Sequence, residues 1–296
     1  MSYRISPSSI SCIVREVLSA ISKLLGPVYL PNPKMEDWKR NEEGFRIKWN
    51  HPNAVGAMDG KHVRIQAPSL SGSTHYNYKG YFSIVLLAIV DPSYKFSIVD
   101  IGASGSQSDG GVFSRSAIGE QLQNGHLKIP APKKVGNTIL PHVIVADDAF
   151  SLKPNIMKPF PGKFLSATRR IYNYRISRPR MVVENTFGIL SARWRIFQTP
   201  IIANVELVKR IVEGAVILHN YLITKNDLNT ITTDSTVNGE IVGGNWREIV
   251  QSDTGLAPLR QQGTNNFTAT AANVRNSFMD YFNSEEGSVP WQNTRV

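Results

Sequence analysis

The chain has 296 residues and a mass of 32.9 kDa, enough for one large domain or two modest ones. Its 41% hydrophobic content excludes wholesale disorder and fibrous repeats, and a single cysteine, Cys12, excludes an internal disulfide framework. With no CxxC or Cys/His cluster there is no structural zinc site, so the chain reads as intracellular and reduced, with a formal charge of +10 whose placement matters more than its size.

Residues 8–25 repeat apolar side chains at i, i+3, i+4 and i+7, which predicts an amphipathic helix with Ser8 or Ser9 as N-cap and Gly26-Pro27 as its end. Glu36 to Trp49 is expected to be a helix pair or an irregular segment anchored by Trp38, Phe45 and Trp49. From His51 the period changes to two. Asp59-Gly60 between Val55-Ala57 and Val63-Ile65 carries a hairpin signal. Residues 81–90 predict a strand buried on both faces, and Phe96–Ile101 a third strand. A helix over Val112–Leu122 follows, then a short strand at His142–Val145 that runs into Asp147 and Asp148. Helices are predicted over Arg180–Ile196, with Ser177 and Pro179 at its start, and over Val205–Ile223. Residues 226–246 read as a polar linker or surface excursion, and Val274–Phe282 as an amphipathic piece that docks back. The longest apolar run, at 82–90, is far below the ~20 residues needed to span a bilayer, and the N-terminus lacks the apolar core of a signal peptide.

The charge is concentrated. Residues 151–210 hold 12 basic side chains against Glu184 and Glu206, whereas residues 225–296 are mildly acidic. Such clustering suits a surface that tracks phosphates, although a solvated helix face would also read this way.

Three acids sit among core-forming residues: Asp59 in AVGAMDG, Asp147 at the end of HVIVAD, and Glu184 within MVVENTFGIL. Ionised carboxylates are costly there unless a cation compensates them. Hard oxygen ligands without thiols or clustered histidines select Mg²⁺ or Mn²⁺, and two such ions can activate water against a phosphodiester. Each acid also has a simpler role: Asp59 as a turn residue, Asp147 or Asp148 as a cap, Glu184 as a partner of Arg180.

The blocks GAMDGKHVRIQAP, YNYKGYFSIVLLAIVD, GSQSDGGVF, VADDAF, NYRISRPRMVVENTFGILSARWRIF and ILHNYL resemble the transposase of PIF/Harbinger DNA transposons and the nucleases derived from it. The likeness runs from Tyr3 to Leu222, with a tail motif at 279–291. It implies an α/β fold: an RNase H-like core, a mixed sheet flanked by helices, with a helical N-terminal segment. The implied layout is a helical segment at 1–50, a nuclease core at 51–225, and a polar linker with a docking tail at 226–296. The family's DDE triad matches Asp59, Asp147 and Glu184, the last two separated by 36 residues. Asp148 competes for the second position, and Ala146 stands where the family usually has Gly. Asp109 is a recurring family acid of unassigned role.

The implied activity is hydrolysis of double-stranded DNA with two Mg²⁺ (or Mn²⁺) ions held by Asp59, Asp147 and Glu184. Lys79, Arg178, Arg180, Arg193 and Arg195 are the candidate DNA-backbone contacts, while His62 and His219 are left out of the site. The resemblance also implies a nuclear location, with the cytoplasm as a second compartment, and a Myb/SANT-like accessory protein. A homo-oligomer is a further expectation, with no membrane partner. The family carries a longer helical region before the core, so residues 6–25 would be a recognition-like helix without its partner. The rival reading is a domesticated, non-catalytic DNA-binding or adaptor protein. An RNA-directed hydrolase is a third, resting on core geometry alone.

Overall fold

A computed structural model describes residues 4–107, 109–226, 231–237, 240–250, 255–259 and 267–296. The N-terminal helix α1 (Pro7–Ala20) is capped by Ser6, whose Oγ accepts the Ser9 N–H, and it passes through a π-helical turn into the short α2 (Gly26–Tyr29). Gly26-Pro27 therefore opens a last helical turn, as Pro can at a first helical position, where no N–H is needed. Residues 35–49 form one helix, α3 (Met35–Trp49), which buries Trp38, Phe45 and Trp49.

The expected hairpin at Asp59-Gly60 is absent. Residues 54–64 form one continuous strand, β1 (Ala54–Arg64), with Asp59 and Gly60 in its middle. Gly60 serves a close approach rather than a turn: a Cβ there would lie 2.4 Å from Leu259 Cδ1. β2 (Ser83–Val90) and β3 (Phe96–Ser104) follow as an antiparallel meander. The helix expected at 112–122 is two short ones, α4 (Asp109–Arg115) and α5 (Ala117–Gln123). They divide at Ser116, whose Oγ caps α5 by accepting the Gly119 N–H. A small hairpin, β4 (Lys133–Val135) with β5 (Thr138–Leu140), leads to β6 (Val143–Ala146) and β7 (Ile156–Met157).

The long helix α6 (Ala167–Arg193) starts at Ser166, well before the predicted Ser177, and carries Pro179 inside it. Proline in a helix interior removes one backbone bond and favours a kink, so the sequence signal was a mid-helix proline and not a start. α7 (Val205–Thr224) matches the predicted span. The stretch expected to be a polar linker or surface excursion carries short elements where it is described. It contains β8 (Ser235–Val237), β9 (Glu240–Val242) and α8 (Trp246–Val250), with Trp246 buried. β10 (Leu256–Pro258) and α9 (Ala269–Asn283) complete the described elements.

The central sheet has the order β3-β2-β1-β6-β7, antiparallel across β3-β2-β1 and parallel across β1-β6-β7. β10 pairs antiparallel with the far half of β1. Both faces are covered, and β2 is apolar from Ile84 to Val90. Ile84, Leu86, Ala88 and Val90 join the core under α6, α7 and α9, and Val85, Leu87 and Ile89 face the α4–α5 side. This is a mixed sheet flanked by helices, an RNase H-like α/β core with a helical segment ahead of it.

Candidate active site

Two strands share one edge of β1. β6 runs parallel along its first half, ending at the pair Met58–Ala146, and β10 takes over antiparallel from Lys61. Asp59 and Gly60 lie at the parting of these two neighbours, and Asp147 is the first residue beyond β6. Crevices outside strand ends at such changes of direction are where α/β sheets hold ligands.

Side-chain alternation sets which face the acids use. Ala57 and Val63 on β1, and Val143 and Val145 on β6, pack in the core beneath α6. Asp59, Lys61 and Asp147 continue that alternation and fall on the α6 side of the sheet. Glu184 lies on α6 itself.

Asp59 is buried at 5% exposure and both its oxygens are engaged. Oδ1 accepts the Gly60 N–H at 2.7 Å, and Oδ2 pairs with Lys61 Nζ at 2.6 Å. Asp147 Oδ1 accepts the Ala149 N–H at 2.9 Å. Burial, and then the charge of Asp59, push the Asp147 carboxyl up to about 6. Asp59 and Asp147 thus act on one another as a like-charge pair in a partly dry place. Asp148, the competitor, points elsewhere: it pairs with the buried Lys158 at 3.2 Å.

Glu184 is more open, with 43% of its side chain exposed, and pairs with Arg180 one turn earlier at 3.2 Å. Its neighbours on α6 are fixed: Asn185 donates to Asp234 Oδ2 at 2.8 Å, and Phe187 and Gly188 are buried. Among the described residues no three His, Cys, Asp or Glu side chains stand close enough together to grip one metal ion. The acids form a pair, Asp59 with Asp147, and a third member turned to Arg180.

Lys61 and Arg247 are residues the sequence reading did not single out. Lys61 lies two positions after Asp59 on the same strand face, with its Nζ 5.7 Å from the centre of the Phe187 ring on α6. Burial works against its charge, but Asp59, Glu184 and Asp147 outweigh this and raise its pKa. Period-two alternation through 59–61 would have exposed it had the strand not been read as a turn. Arg247 comes from α8 and is held by Asp234, with Nη2 at 2.8 Å, and by Asn185. It feels the charge of Glu184. No local pattern marks it.

The predicted DNA contacts divide. Lys79 and Arg195 are exposed, and Arg180 and Arg193 partly so. Arg178 is not at the surface: it is 1% exposed, lies over the Trp291 ring, and donates to Tyr174 Oη at 3.3 Å. Its assignment as a phosphate contact is corrected on that ground. Arg175 and Lys158 are likewise buried, so part of the basic surplus of residues 151–210 holds the fold together. His62 bonds Ser83 Oγ at 2.9 Å and His219 bonds the Tyr94 carbonyl at 2.8 Å, both satisfied inside the core. The side chain of Asp109 lies outside the described residues.

An RNase H-like core with Asp59 midway along β1, Asp147 just beyond β6 and Glu184 on the long helix α6 has the layout of a nuclease-type fold of the DDE class. Residues 58–220 match the family model described as DDE superfamily endonuclease, just over half of the chain, and the chain belongs to that family. It is 30% identical over 183 residues to "Protein ALP1-like" of Arabidopsis thaliana, covering 60% of this chain and 44% of that protein. It is 28% identical over 144 residues to "Putative nuclease HARBI1" of Homo sapiens, covering 49% and 38%, and 26% identical over 192 residues to the Rattus norvegicus protein of that name, covering 64% and 51%. These matches agree with the Harbinger-type resemblance. The chain spans about half or less of the length of these relatives, and no solved structure matches it significantly.

Proposed function

We propose that the chain is a divalent-metal-dependent endonuclease of the Harbinger type that hydrolyses phosphodiester bonds of double-stranded DNA at Asp59, Asp147 and Glu184. The observation that carries the reading is the parallel pair Met58–Ala146, which is followed on each strand by a carboxylate, the buried Asp59 and the half-buried Asp147, at the sheet's parting. Burial and the charge of Asp59 raise the Asp147 carboxyl, and the pair offers only hard oxygens. That donor set fits Mg²⁺ or Mn²⁺. Such ions, when bound, generate a nucleophile from water and stabilise the leaving oxygen.

The chain's own residues would do the rest. Asp59 and Asp147 hold the cation side of the site, and Glu184 joins them from α6. Arg180, released from Glu184, stands at the same helix turn to meet a phosphate oxygen. Lys79, Arg193 and Arg195 lie on the open surface and position the DNA backbone without reading bases. A nuclear location, a homo-oligomer and a Myb/SANT-like accessory protein belong to the same reading.

The test is nicking of duplex DNA by the purified chain with Mg²⁺ or Mn²⁺. Asp59→Ala should abolish cleavage and leave DNA retention nearly intact; cleavage that survives the change overturns the assignment. A non-catalytic DNA-binding or adaptor role is favoured by one observation, that Lys61 and Arg180 already pair with Asp59 and Glu184. Failure of the unmodified chain to bind Mn²⁺ would support it.

A further inference from the structure

We propose that Lys61 is the resident counter-ion of the acid pair: its ammonium holds the Asp59 oxygen that a divalent cation must take, and cation arrival releases it towards a substrate phosphate. The inference rests on the reading of Asp59, Asp147 and Glu184 as a cation site.

The geometry leaves Asp59 no idle oxygen. Oδ1 is occupied by the N–H of the next residue, Gly60, at 2.7 Å. Oδ2 is occupied by Lys61 Nζ at 2.6 Å, with the lysine side chain only 14% exposed. A cation on the Asp59–Asp147 side therefore meets Lys61 first. β1 cannot make room by shifting, because β2 pairs with it through residues 57–64 and β10 holds residues 61–63. The flexible four-carbon stem of Lys61 can move while the backbone stays in place.

The neighbouring cations are committed otherwise. Arg180 pairs with Glu184, Arg247 with Asp234, and Lys158 with Asp148. The Phe187 ring, centred 5.7 Å from the ammonium, gives it an attractive face besides Asp59. A dication placed beside an ammonium in a partly buried site repels it strongly. Once displaced, the ammonium is a point-charge donor of the kind that meets phosphate oxygens.

The test is calorimetric titration of the full chain, stripped with EDTA, using MnCl₂. Lys61→Met should bind Mn²⁺ about tenfold more tightly than the unmodified chain, a change of ~1.4 kcal/mol, while Lys61→Arg stays close to it. Binding by Lys61→Met that equals or falls below that of the unmodified chain overturns the inference and leaves the acid-site reading standing. Absence of Mn²⁺ binding in both chains overturns the acid-site reading and the inference with it.

A second measurement needs no variant. Acetylation of Lys61 by a succinimidyl ester, followed by peptide mass spectrometry, should be several-fold faster with Mn²⁺ than with EDTA, relative to the exposed Lys163. An unchanged ratio overturns the inference even if Lys61→Met does not fold.

Discussion

Asp59 on β1 and Asp147 just beyond the end of the parallel β6 hold equivalent positions, each following directly on a member of the Met58–Ala146 pair. The register of β1 against β6 therefore sets their proximity, and it does so across almost ninety residues of intervening chain. A one-residue slip would send one of them to the other face of the sheet.

This proximity has a pH signature. Burial and Asp59 raise the Asp147 carboxyl from its ordinary 3.8 to about 6. A raised acid binds its proton more tightly folded than unfolded, so its contribution to stability is fullest at pH below the unfolded value. That contribution is lost as pH rises through about 6. In urea titrations with EDTA at pH 4.5 and pH 7, Asp147→Asn should gain stability relative to the unmodified chain at the higher pH. The difference between the two chains should shrink towards pH 4.5.

Gly188 lies on α6 against the tail segment, and a Cβ there would come within 2.1 Å of the Trp246 ring. In a free helix Gly→Ala gains up to about 1 kcal/mol, whereas overpacking costs about 1–3 kcal/mol. Because the ring is buried and cannot swing clear, packing should win. Gly188→Ala is expected to lower the urea midpoint, and a rise would show that α8 sits loosely on α6.

Arg178 and Arg195 should behave oppositely although both lie in the basic stretch. Arg178→Ala removes a buried group with partners on Tyr174 and Asn50, and it should cost about 2 kcal/mol in unfolding experiments. Arg195→Ala, on an exposed 3₁₀ turn, should leave the melt unchanged and reduce the slope of log K against log salt for DNA by about 1. Fluorescence anisotropy at several salt concentrations reads that slope.

Asp234 gathers Asn185, Gly244, Trp246 and Arg247 around one carboxylate that is fully buried. Asp234→Ala strands those donors, which should cost about 2–3 kcal/mol, towards the low end because Arg247 can still reach water. Hydrogen exchange followed by mass spectrometry should show faster exchange in residues 240–250 than in β2. Equal protection in the variant would mean that apolar packing of Trp246 alone holds the segment.

The sequence by itself determined the family, through several long blocks in order, and with it the fold class; it also named three candidate acids. It also determined the elements whose burial is local. The unbroken apolar run of β2 and the helical period of α7 were legible because each reports its own covered faces. Tertiary structure decided what periodicity cannot carry. Asp59-Gly60 reads as a turn until Leu259, two hundred residues on, accounts for the missing Cβ. Arg178 reads as a phosphate contact until α6 buries it against Trp291. Lys61, which no sequence pattern singled out, is set by the fold against Asp59 within reach of the fields of Asp147 and Glu184. Local pattern records whether a position is buried; the partner a charge meets depends on the path of the whole chain, and at this site that partner separates a bare acid cluster from one already held by its own lysine.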